Sequence, residues 1–67
     1  MEAKPRLIRR PEVEQRTGLQ KSAIYQRAKD GTFPRPIKIG TYNVAWLESE
    51  IDAWVEERVA ASRGGAA

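Results

Sequence analysis

The stretch RPEVEQRTGLQKSAIYQRAKDG, residues 10–31, constrains the fold more than any other, because its glycines cut it into two short helices. Pro11 suits a first helical position, where a missing N–H costs nothing. Glu12 and Glu14 favour the positive end of that helix and Arg16 its negative end, while Val13 and Thr17 share a face. Gly18 supplies a left-handed stop. Leu19 and Ile24 then stand where a hydrophobic staple fixes the start of a second helix, with Gln20 at the cap. Gly31 ends that helix, with Arg27 and Lys29 in its last turn. A tight, glycine-containing turn between two short helices is the signature of a helix-turn-helix.

The flanking segments complete a small domain. Leu7-Ile8-Arg9 reads as a short extended segment ahead of the first helix. In TFPRPIKIGTYNVAW, residues 32–46, Phe33 plugs the core beneath the helix pair, and Pro34 and Pro36 forbid another helix. Ile37/Ile39 and Val44/Trp46 alternate with Lys38 and Ala45, the period-2 mark of half-buried strands. Gly40-Thr41-Tyr42-Asn43 joins them, Gly and Asn tolerating the positive φ of a tight turn, which predicts a two-stranded hairpin with a protruding tip. Glu48, Ser49 and Glu50 open a third helix whose buried stripe is Ile51, Trp54, Val55 and Val59. The expected organisation is a loose tip over 1–5, one domain over 6–61 and a disordered tail over 62–67.

Composition narrows the function classes. A chain of 67 residues buries only about 60 % of its unfolded surface, and it has neither cysteine nor histidine. Disulfides, thiolate catalysis and the usual structural zinc site are thereby excluded, and no metal or cofactor is expected. No apolar run approaches the roughly 20 residues of a membrane span and no signal-peptide pattern opens the chain, which predicts a cytoplasmic protein. Charge is unevenly divided: residues 1–40 carry ten cations against four carboxylates, and residues 41–67 carry two against five. A polyanion would meet the first part and be repelled by the second. The carboxylates Glu48, Glu50, Asp52, Glu56 and Glu57 have no histidine to work with, and helix capping and solubility explain them better than catalysis.

The second helix carries the candidate reading face. Ile24 and Ala28 face the core, Ser22, Gln26 and Lys29 fall on the opposite side, and Tyr25 lies at the border. Gln26 suits the N6/N7 edge of adenine, and Lys21 at the helix start suits guanine or a phosphate. Arg9, Arg10, Arg27, Arg35 and Lys38 are phosphate candidates around that face. Tyr42 and Asn43 at the hairpin tip suit a minor groove or the sugar–phosphate chain, or are turn residues only. Phe33, Trp46, Ile51 and Trp54 sit on apolar faces and read as core, not as a stacking platform for single strands.

The chain resembles the AlpA-like phage regulators, a branch of the small MerR-like winged helix-turn-helix proteins. RLIRRPEVEQRTGLQKSAIYQRAKDGTFPRPIKIG followed by VAWLESEIDAWVEER is similar to the family's succession R-x-x-E-V, T-G-L-S-x-S-x-I-Y-R, G-x-F-P-x-P-x-x-L-G and W-x-x-x-E-I-x-x-W, over Arg6 to Arg58. The resemblance implies a mainly α winged helix with a small β hairpin, in β-α-α-β-β-α order. It also implies double-stranded DNA binding in transcriptional control of phage or integrated-element genes, with excisionases that bend DNA as near relatives. The chain departs from the family pattern with Gln20 for the usual Ser, Gln26 for the usual Arg, and Thr41-Tyr42-Asn43 at a tip that is often basic. The expectation is therefore a sequence-specific DNA-binding regulator, not an enzyme, with no small-molecule substrate. An interface of about 600–1,000 Å² calls for two or more copies on the DNA. Two alternatives stand beside it: an excisionase, and a protein-interaction module whose polar face meets an acidic partner.

Overall fold

A computed structural model describes residues 4–64. The elements are β1 (Leu7–Ile8), α1 (Arg10–Thr17), α2 (Lys21–Asp30), β2 (Ile37–Lys38), β3 (Val44–Leu47) and α3 (Glu48–Gly64), the β-α-α-β-β-α order of a winged helix-turn-helix. Both helix stops fall where the glycines predict. Gly18 has φ 77° and Gly31 φ 85°, so each is left-handed and each ends its helix. At Gly31 the Gly31 N–H donates to the Ala28 carbonyl and the Thr32 N–H to the Arg27 carbonyl, the paired bonds of a Schellman stop. Thr17 stitches the turn: its hydroxyl donates to the Val13 carbonyl at 2.8 Å and accepts the Leu19 N–H at 3.2 Å.

The core is Ile8, Val13, Ile24, Phe33, Trp46 and Ile51, with Leu19, Val44, Trp54 and Val55 packed against it. Two indole N–H groups hold the chain that leaves α2. Trp46 Nε1 donates to the Pro34 carbonyl at 3.1 Å and Trp54 Nε1 to the Thr32 carbonyl at 2.9 Å. The Phe33 ring meets Trp54 edge-on at 4.9 Å. This pinning fixes where the prolines launch the hairpin.

Several expectations are corrected. The expected hairpin forms from β2 and β3, but the extended segment before α1 joins it as a third strand, in the order β1-β3-β2: Leu7 lies opposite Leu47, Ile8 opposite Trp46, Ile37 opposite Ala45 and Lys38 opposite Val44. The Glu48 N–H continues the ladder onto the Arg6 carbonyl at 2.8 Å. β3 is paired along both edges, and Ala45 is as fully buried as Trp46, so the expected alternation fails there. The edge strand β2 has the converse fate, with Ile37 and the following Ile39 exposed. The hairpin tip closes through bonds from the Ile39 and Gly40 N–H groups to the Asn43 carbonyl, and neither Gly40 nor Asn43 takes a positive φ. On α3, Ile51 is buried and Trp54 and Val55 are half-buried, but Val59 is exposed because the helix has run past the edge of the core. The helix continues to Gly64, beyond the boundary at residue 61; residues 1–3 and 65–67 of the expected tip and tail lie outside the described residues.

Candidate nucleic-acid interface

α2 displays its polar side outward because Ile24 and Ala28, one turn apart, are drawn into the core. Ser22, Gln26 and Lys29 are exposed on the opposite side, and Lys21 is exposed at the first position. Tyr25 serves both sides of the border. Its ring centroid lies 6.0 Å from that of Trp46, yet the residue remains 37 % exposed. The phenol thus lies beside the core and stays partly open to solvent.

Two clefts run along the flank of α2 that faces the hairpin, and Tyr25 is the wall between them. One, of about 400 Å³, is lined by Arg9, Arg10, Pro11, Tyr25, Tyr42 and Val44. The other, of about 350 Å³, is lined by Tyr25, Ala28, Lys29, Arg35 and Pro36. Lys38 stands on the same sheet face as its cross-strand partner Val44, and so on the side of the first cleft. The hairpin tip is tied to the helix pair by the Arg9 guanidinium, which donates to Asn43 Oδ1 at 3.2 Å. Tyr42, beside it, is 94 % exposed.

The structure therefore gathers Arg9, Arg10, Lys21, Ser22, Tyr25, Gln26, Lys29, Arg35, Lys38, Tyr42 and Asn43 around one helix and its facing hairpin. Arg27 stands apart. Two positions on from Tyr25, it turns toward the far flank of α2. Within the gathered set Arg10 is bound to Glu14 at 3.0 Å. Arg9, Lys21, Lys29, Arg35 and Lys38 make no ion pair among the described residues.

Three carboxylates are engaged elsewhere. Arg16 reaches Glu12 at 2.7 Å, Glu48 at 2.8 Å and Asp52 at 3.0 Å, joining α1 to the first turns of α3. The hydrogen bonds to Glu12 and Glu48 hold its guanidinium pKa above the ordinary arginine value. Arg6 lies 3.6 Å from the same Glu48. The sequence assigns Arg16 to the helix dipole and misses this hub, because only the fold brings α3 beside α1. It also misses Asp30, whose carboxylate accepts from Gln26 Nε2 at 3.3 and 3.4 Å; here the four-residue spacing was a usable signal.

Comparison with known proteins covers the whole of this arrangement. The family model of the prophage CP4-57 regulatory protein (AlpA) matches residues 6–59, from the strand before α1 into α3. Protein ORF88 of Enterobacteria phage P4 is 43 % identical over 60 residues, spanning 90 % of this chain and 68 % of the relative. The DNA-binding transcriptional activator AlpA of Escherichia coli (strain K12) is 37 % identical over 59 residues, spanning 79 % of this chain and 84 % of the relative. With its two helix stops, proline-launched hairpin and α3 all inside the matched span, the chain belongs to the AlpA family of prophage regulatory proteins.

Proposed function

We propose that this chain is a sequence-specific, double-stranded DNA-binding transcriptional regulator of phage or integrated-element genes, working in the cytoplasm. α2 enters the major groove with Ser22, Gln26 and Lys29 toward base edges, and the hairpin lies along the flanking backbone or minor groove. Arg9, Arg10, Lys21, Arg35 and Lys38 meet phosphates on either side, and Tyr42 and Asn43 touch the sugar–phosphate chain. The observation that carries the reading is the segregation of charge around α2. The cations beside the reading helix are largely free of carboxylates, while Glu12, Glu48 and Asp52 are held by Arg16 on the α1–α3 side. The 37 % identical relative named as a DNA-binding transcriptional activator supports it. One such module offers a small interface, so two or more copies share a site.

Fluorescence anisotropy with labelled duplexes at increasing salt tests the proposal. Five cations on phosphates, Arg10 among them, give a slope of log K against log salt of about −4 to −5. A flat response, with duplex failing to compete for the surface, refutes DNA binding and favours an acidic protein partner.

A further inference from the structure

The outward face of α2 holds one carboxylate, Asp30, and its position is costly. It stands in the last turn of the helix, where the dipole disfavours negative charge, and beside a surface that otherwise favours anions. Among the described residues it makes no ion pair, although Arg27 and Lys29 share its turn. Its partner is instead neutral. Gln26 Nε2 donates to both carboxylate oxygens, at 3.3 Å to Oδ1 and 3.4 Å to Oδ2.

A carboxylate accepts and never donates, so it meets only the NH2 end of an amide. An unpartnered glutamine presents its donor and acceptor in either order, because a half-turn of the terminal torsion exchanges them. Next to Asp30 the order is set. The NH2 end lies toward the C-terminal end of α2, Oε1 lies away from it, and one N–H remains to donate. Pairing with the N6/N7 edge of adenine needs one acceptor and one donor in a fixed order.

We infer that Asp30 is a positioning residue for base recognition, orienting the Gln26 amide so that α2 reads one base pair in one direction. This rests on the proposed function. Asp30 touches no base itself. It removes the wrong amide orientation and part of the rotamer freedom that binding would otherwise have to freeze. Its charge also lowers affinity for every phosphate chain alike, so the residue exchanges general affinity for discrimination.

The test begins with in vitro selection on the parent protein, which defines a preferred site and the base pair at which Gln26→Ala relaxes preference. Affinities are then measured on that site, on its three single-pair variants and on a scrambled duplex. Gln26→Ala loses about 5- to 100-fold of discrimination at that pair. Asp30→Asn, nearly isosteric but able to donate as well as accept, loses about three- to tenfold at the same pair while binding scrambled duplex at least as well as the parent. Asp30→Glu keeps an acceptor-only group and stays within about twofold of the parent. The double variant Gln26→Ala/Asp30→Asn discriminates no worse than Gln26→Ala alone. Removing a charge from the helix C-terminus favours folding, so Asp30→Asn is a sound protein to assay.

If Asp30→Asn changes all the duplexes by one common factor, Asp30 is only a repulsive charge and the inference is overturned. If Gln26→Ala relaxes no base pair, it is overturned too, while the salt slope still decides DNA binding separately.

Discussion

Replacing Trp46 by Phe separates a hydrogen bond from the ring that carries it. Trp46 is fully buried, and its Nε1 donates to the Pro34 carbonyl at 3.1 Å. A phenyl ring refills most of the space but buries about 50 Å² less apolar area, worth about 1.2 kcal/mol. The Pro34 carbonyl loses its donor, and because Pro34 is itself half-exposed, water takes part of that place; the cost is about 1 kcal/mol. The total is about 2–3 kcal/mol. A domain of 67 residues has only about 3–10 kcal/mol to lose, so the midpoint of thermal unfolding falls by about 10–20 °C. Urea unfolding followed by circular dichroism at 222 nm gives the free energy, and an unchanged slope shows that the same surface is exposed. Trp54→Phe is the internal control. That ring is half-buried and its bond to Thr32 is exposed, so the same change costs under about 1.5 kcal/mol. Equal losses at the two positions, or a loss under about 0.5 kcal/mol at Trp46, refute the assignment of Trp46 as the anchor of the loop after α2.

Gly31→Ala leaves open space around the new methyl group, yet it forces a side chain into φ 85°, and destabilises by about 1–2 kcal/mol in the same urea assay. Lys38→Ala removes one exposed charge beside the first cleft; it weakens preferred and scrambled duplexes equally and makes the salt slope shallower by about one unit. Arg16→Met leaves Glu12, Glu48 and Asp52 facing one another and lowers the melting temperature, and added salt narrows the gap to the parent by screening their repulsion.

What could be read along the chain was local. The stops at Gly18 and Gly31, the absence of a helix through Pro34 and Pro36 and the inward phase of Ile24 and Ala28 each depend on neighbours within a few residues, and all stand as expected. What escaped was set by distant chain. A two-residue strand such as Leu7–Ile8 carries no periodic signal, so its pairing with β3 was invisible, as was the full burial of Ala45. Helical periodicity reports the phase of Val59 but not that the core ends before it. The outward residues of α2 were legible by the same reasoning. In the sequence Arg9, Arg35 and Tyr42 are only scattered positive or protruding positions, and the fold groups them about Tyr25.

The pairing of Ile8 with Trp46 also sets an order of events as the chain is made. α1 and α2 close through neighbouring bonds within microseconds, whereas β1 waits for a partner near the other end of the domain, with the loop-closure entropy that such a distance carries. At about 5–20 residues per second, Ile8, Val13 and Ile24 leave the ribosome seconds before the strand that covers them. α2 is thus synthesised early and finished late. A fragment ending before Val44 keeps all of α1 and α2 but lacks their cover, and it should show partial helical ellipticity with no cooperative melt.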